Sequence, residues 1–206
     1  MISSDQIETA KSIYSQLTKW NIANSTLSEY FKFNPLNNSE KVILIKVLII
    51  DSLYKTNLKE QISVAENIAS ISNLDKSLKE GKEEVVEKVA HWQNKNLLSF
   101  ASKFCHFHNK EKYPIYDKYV IIALKNLLKN WKDDRTFTNF LRGINQFRIE
   151  NSIRDISYED LDKFLWMYGM LINLELGKTD INKEIKDFYK NNKELFTNLK
   201  SRDSFL

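Results

Sequence analysis

The stretch from Trp92 to Leu124, WQNKNLLSFASKFCHFHNKEKYPIYDKYVIIAL, decides how the chain is read. Gln93, Asn94, Lys95 and Asn96 are polar and interrupt an apolar pattern as a hairpin would, with no glycine among them. From Leu97 to His108 apolar residues return at three- and four-residue spacing, which predicts a helix. Pro114 breaks the run, and Asp117 stands where an acidic residue opens the next helix. The order is helix, polar hairpin, helix, short basic loop, and an aspartate at a helix start.

Working outward, the 206 residues contain only four glycines and two prolines. So little turn chemistry, with helical apolar spacing in almost every segment, predicts an all-α fold. Helices are expected near 4–19, 25–32, 39–55, 58–71, 83–92, 97–108, 115–130, 134–150, 158–175 and 180–199, with ends uncertain by ~2–4 residues. Asn38 and Ser39 suit the cap of the third, Pro114 suits a first helical turn, and Gly81 and Gly177 suit helix ends. Val42 to Ile50 are apolar on nearly all sides apart from Lys46, so this helix is expected to be a surrounded central post. The run is far shorter than the ~20 apolar residues of a membrane helix. No internal repeat or low-complexity linker stands out, and Lys183 to Lys200 is polar enough for a docked surface helix.

Composition narrows the classes. At 42% hydrophobic and 28% charged the chain can bury a core without a disulfide or a metal. Its single cysteine, Cys105, excludes a disulfide framework and a four-cysteine iron–sulfur cluster, and suits a reducing cytoplasm. The start, Met1 followed by Ser3, Ser4, Asp5 and Gln6, has no basic or apolar secretion signal. Net charge is only +4, yet Lys95 to Lys132 holds eight lysines against Glu111 and Asp117, a local excess of +6. Such a surface attracts phosphates, as mildly basic soluble surfaces also do. His106 and His108, two residues apart, point to opposite sides of a helix, so neither they nor His91 make a metal site. No Gly-rich phosphate loop, Ser-His-Asp set or zinc-deaminase signature is present.

Pro114, Asp117 and Val120 resemble the end of the signature of the helix-hairpin-helix DNA glycosylase superfamily, in which a proline-containing approach leads to a catalytic aspartate with valine three residues on. Phe100-Ala101-Ser102-Lys103 is similar to the second hairpin helix of the compact archaeal 8-oxoguanine glycosylase branch. Leu161-Asp162-Lys163-Phe164-Leu165-Trp166 is similar to its base-pocket helix. The resemblance covers roughly residues 40 to 170 and departs in two places: no hairpin glycine is present, and the PIYD approach is one residue longer. It implies a single 1–206 domain, a compact two-lobed helical bundle with the active-site cleft between the lobes. It also implies a monomer acting on double-stranded DNA with a modified base, without cofactor.

The roles follow from the resemblance and from chemistry. Breaking a C1′–N bond passes through an oxocarbenium-like sugar, which a carboxylate stabilises. Asp117, at a helix start behind a DNA-gripping hairpin, is suited to that role and to activating water. Without the resemblance, a simple helix cap would be the better reading of Asp117. Relatives that also nick the strand carry a lysine nucleophile where Asn96 stands here, so monofunctional hydrolysis is expected, with Lys95 as nucleophile if the hairpin shifts by one residue. Asp162 and Trp166 share a helix face with Gly169, which permits close approach of another group; the resemblance gives the pair the roles of edge-reader and stacking plane for a flipped base. Asn94, Asn96, Lys103 and Lys118 are expected on DNA; Lys103 and Lys118 are weaker nucleophile candidates than Lys95, and an exposed phosphate contact is the default for all three lysines. Tyr54 or Asn57 is expected to fill the void left by the base. The substrate stays open between an oxidised base and a hypermodified one, such as glucosylated hydroxymethylcytosine of phage DNA removed in antiviral defence. Two other classes are a non-catalytic helical DNA-binding module and, with little support, an RNA-cleaving toxin.

Overall fold

A computed structural model describes residues 2–178 and 181–200 of the protein. Among the described residues the fold is all-α, with twelve helices and one two-residue-stranded hairpin. The chain separates into two compact units, each made of discontinuous segments. One comprises residues 1–22, 117–134 and 140–206, the other 23–116 and 135–139.

The first unit is built on α10 (Tyr158–Glu175), which packs against α1 (Ser4–Ser15) and α8 (Lys118–Leu127). Ser3 caps α1 through a capping box with Gln6, and Ser157 caps α10 by accepting from the Asp160 amide. The helix expected over 4–19 stops at Ser15, and α2 (Thr18–Phe33) begins three residues later. Asn21 explains the early break: its side-chain amide donates to the Tyr14 and Ser15 carbonyls at 3.1 and 2.9 Å, satisfying the last turn of α1. Phe147, from α9 (Phe137–Glu150), stacks on Phe164 of α10 at 6.2 Å between centroids. Gly177, with φ of 67°, ends α10 as its position suggests. The helix expected over 180–199 is two, α11 (Lys183–Asn191) and α12 (Lys193–Thr197), divided at Asn192; residue 180 lies outside the described residues.

The second unit centres on α3 (Glu40–Tyr54), packed against α4 (Gln61–Ala69) and α7 (Leu98–His108). Ser39 caps α3 as expected. The expectation of a fully surrounded post is corrected: Ile45 and Leu48 are 45% and 46% exposed, while Lys46 turns inward and is fully buried. A polar side chain took the core position because it finds partners there in the Leu36 carbonyl, Asn37 and His108. A helix missing from the sequence reading, α5 (Leu74–Glu80), fits between a left-handed Asn73 and a left-handed Gly81. α6 (Glu83–Ala90) is shorter than expected, because His91–Trp92 leave it as strand β1 to pair antiparallel with β2 (Lys95–Asn96). Gln93, at φ 52°, makes the turn without a glycine. The helix expected over 115–130 spans only 118–127, so Pro114 lies in the irregular approach rather than in a first turn.

Backbone meets backbone in the first unit at Gly169, where an added Cβ would lie 1.9 Å from the Tyr119 carbonyl oxygen. Alanine normally gains ~1 kcal/mol over glycine inside a helix, but overpacking against backbone costs about 1–3 kcal/mol. Gly169→Ala is therefore expected to lower the urea midpoint; an unchanged or higher midpoint would show that α8 and α10 can separate freely.

Candidate functional site

Asp117 is the N-cap of α8, with extended backbone (φ −131°, ψ 150°) and Oδ1 accepting from the Tyr119 amide at 2.8 Å. It is half-buried. The Tyr119 ring meets the Trp166 indole edge-on, with centroids 6.5 Å apart and planes at 87°. The approach expected at Gly169, one turn after Trp166, is made by the Tyr119 carbonyl. The structure thus brings Asp117 and Trp166 to one helix pair, through a residue that sequence spacing did not single out.

Trp166 is 7% exposed. Tyr14 and Trp20 also meet it edge-on, at 6.0 and 5.0 Å. Asp162, half-buried one turn before Trp166, acts on this cluster electrostatically: the Tyr14 phenol is raised well above its usual pKa by burial first, and then by the Asp162 and Glu159 charges. Burial would raise Asp160, but Lys163 and Lys11 hold it below the usual carboxylate range. Lys118 is exposed, its ammonium 5.3 Å from the Tyr119 ring centroid.

The remaining sequence candidates belong to the second unit. The hairpin exists, with Trp92 opposite Lys95 and His91 opposite Asn96. Lys95 is exposed with its ammonium 4.8 Å from the Trp92 ring centroid, and the Trp92 indole N–H donates to Ser63 Oγ at 3.1 Å. Asn94 is exposed at the tip, and Asn96 donates to the Arg135 carbonyl at 3.0 Å. Lys103 departs from expectation: it is 2% exposed, and its ammonium donates to Ser99 Oγ at 2.8 Å and to the Ser99 carbonyl at 3.1 Å. An exposed phosphate contact does not describe it. Its charge lies 5.5 Å from the Tyr54 ring centroid, and the Tyr54 hydroxyl donates to Asn24 Oδ1 at 3.4 Å. Asn57 is exposed and left-handed (φ 58°) in a loop tied by Asp51, whose Oδ1 accepts from Thr56 Oγ1 and the Leu58 amide at 2.8 and 3.0 Å.

Sequence reasoning missed a charged cluster here. Lys46 donates to Asn37 Oδ1 at 3.0 Å and the Leu36 carbonyl at 3.2 Å, and reaches His108 Nε2 at 3.4 Å. Asn37 Nδ2 gives one hydrogen to Asp75 at 2.6 Å and faces the same Nε2 at 3.2 Å. Two donors converge on Nε2, so a neutral ring with its proton on Nδ1 fits the network. Burial and then the Lys46 charge depress His108 to about 3, and burial depresses Lys46 to about 8 against the opposing pull of Asp75. The one visible signal was a lysine alone in an apolar run.

These features define an all-α protein with a polar hairpin in one unit and, in the other, a helix-capping aspartate whose helix abuts an aromatic cluster. The chain belongs to the family HI_0787_N, described as an N-terminal domain, which matches residues 6–112, just over half its length. It is also 31% identical over 132 residues, 62% of this chain, to an uncharacterized protein of Haemophilus influenzae; the match spans 66% of that relative. No solved structure matches the chain. Asp117, Asp162 and Trp166 all come after residue 112 and so lie outside the family match. Among the described residues no helix is long and apolar enough to cross a membrane.

The buried imidazole gives a pH dependence. The unfolded chain takes up a proton near 6.5 and the folded one only near 3, so stability is full above about 6.5 and declines as pH falls through that window. Between about pH 7 and 5, the unfolding free energy of the wild type from urea titration is expected to fall by about 1 kcal/mol per pH unit, and His108→Gln to flatten that slope. Parallel slopes would place the acid sensitivity elsewhere.

Proposed function

We propose that the protein is a DNA glycosylase that extrudes a modified base and hydrolyses its N-glycosidic bond. In this reading water adds to C1′ as the C1′–N bond breaks, the bonding pair leaves with the base, and the water proton ends on the base nitrogen. An abasic site remains. The observation that carries it is the pair of contacts made by Tyr119 on α8, its amide to the Asp117 carboxylate and its ring to Trp166 on α10. A carboxylate at a helix start can stabilise the positive sugar, and an indole one helix away, with Asp162 on its own helix, suits an extruded base. The resemblance to helix-hairpin-helix glycosylases supports the same roles.

Lys118 and the hairpin residues Asn94, Lys95 and Asn96 are assigned to DNA, with Tyr54 or Asn57 filling the vacated stack. Exposed Lys95 is the nucleophile only if the enzyme also nicks the strand; monofunctional hydrolysis is favoured. Lys103, being buried, is assigned a supporting role beneath Tyr54. The base is oxidised or hypermodified, and the setting is cytoplasmic, as DNA repair or as defence against phage DNA carrying glucosylated hydroxymethylcytosine. The protein acts as a monomer.

One observation favours a non-catalytic DNA-binding module instead: Asp117 already has a structural task as the α8 cap. Asp117→Asn separates the two, because asparagine caps as well as aspartate but carries no charge. With a panel of modified duplexes and mass spectrometry of released bases, the variant is expected to keep its stability and DNA affinity while base release falls by about 10²–10³-fold. Absence of release by the wild type across the panel would leave only the binding module, and unchanged release by the variant would take Asp117 out of the chemistry.

A further inference from the structure

A groove of about 460 Å³ lies in the first unit between the start of α2 and α11, and Lys19, Lys183, Glu184, Asp187, Phe188 and Asn191 are among the residues that line it. Its size is that of a small-ligand site. Sequence spacing builds most of the wall: Glu184, Asp187, Phe188 and Asn191 follow one another at helical intervals and share one face of α11. Asn182 caps that helix, its Oδ1 accepting from the Glu184 amide at 2.8 Å. Glu184 is also fixed to α2, because its Oε1 accepts from the Lys19 amide at 3.0 Å.

Four charges line this groove and none of them is paired. Among the described residues neither Lys19 nor Lys183 forms an ion pair with a carboxylate, and neither Glu184 nor Asp187 with an ammonium. Glu184 Oε2 is buried with no donor among those residues, an unmet acceptor of the kind folded proteins keep rare. The Asn192 amide is committed to the Phe188 carbonyl at 2.9 Å. The Phe188 ring is half-buried and meets Phe196 edge-on at 6.0 Å. Two ammoniums and two carboxylates cancel, so the groove selects neither a simple cation nor a simple anion. A molecule that carries both signs a few bonds apart answers both sets at once, and an apolar portion of it has Phe188 to rest on.

We propose that this groove binds a small zwitterion, an α-amino acid with an apolar side chain. Its ammonium turns to Glu184 and Asp187, its carboxylate to Lys19 and Lys183, and its side chain to Phe188. The site shares no residue with the base-excision reading and stands or falls apart from it.

NMR titration of the isotope-labelled full chain tests the site, with L-phenylalanine as the probe. Phenethylamine and 3-phenylpropanoate, which keep the ring and one charge each, are the comparisons. L-Phenylalanine is expected to shift the amides of α11 and Lys19 with a Kd of about 1 mM or tighter, and each single-charge analogue to bind at least about tenfold more weakly. Asp187→Asn and Lys183→Gln alter exposed side chains, and each is expected to weaken L-phenylalanine about fivefold. Circular dichroism checks folding; should either variant fail to fold, the three-ligand comparison on the wild type decides. No binding of L-phenylalanine at about 20 mM, shifts confined to other elements, an analogue that matches it, or a folded variant with unchanged affinity would overturn the inference.

Discussion

The first unit depends on one close approach, that of the Tyr119 carbonyl to the bare Cα of Gly169. A side chain at 169 would hold α8 away from α10, and two features would move with it. Tyr119 would lift from Trp166, and the first turn of α8, which Asp117 caps, would shift with Tyr119 because the cap hydrogen bond runs to that residue's amide. Packing and the candidate chemistry are therefore coupled at one position. Glycine costs helix stability there and returns it as a helix spacing that no other residue permits.

The second unit solves a different problem. Burying Lys46 is costly unless its hydrogen bonds are met, and Leu36, Asn37 and His108 supply partners while Asp75 supplies the counter-charge. Asp75 is tied to Asn37 through both the backbone and the side-chain amide. The network thus joins α3, α5, α7 and the segment before α3, elements far apart in sequence. Lys103 is handled more locally, four residues from Ser99 on one helix. Two ammonium groups inside one small unit make its packing specific, since each demands acceptors at fixed positions.

Local signals explain what was legible in the sequence. Apolar spacing located most helices, Ser39 and Gly177 marked ends they do mark, and the polar run at 93–96 is a hairpin. Gly169 was readable as a point of close approach because it lies one turn beyond Trp166 on a helix. The features that stayed hidden depend on distant partners. Asn21 ends α1 by reaching back to its carbonyls, and a strong apolar pattern across 4–19 conceals that. Lys46 looked like an interruption of a buried run, when it is itself fully buried. Lys103 looked like a surface cation because spacing alone does not reveal which flank of α7 faces the core. The aromatic cluster draws on residues 14, 20, 119 and 166, a set no local pattern could assemble.

The family match and the candidate chemistry divide the chain differently. Residues 6–112 take in most of α1 and all of α2 through α7, and with them the hairpin, the Lys46 network and Lys103. Asp117, Asp162 and Trp166 come afterwards, yet two of the rings around Trp166, Tyr14 and Trp20, sit inside the matched segment. The aromatic cluster therefore joins the matched segment to the C-terminal helices α8 and α10. A family member could retain the scaffold and hairpin while carrying other residues at the later positions. Membership covers residues 6–112, and the candidate chemistry sits beyond them on Asp117 and the cluster that α8 presents to α10.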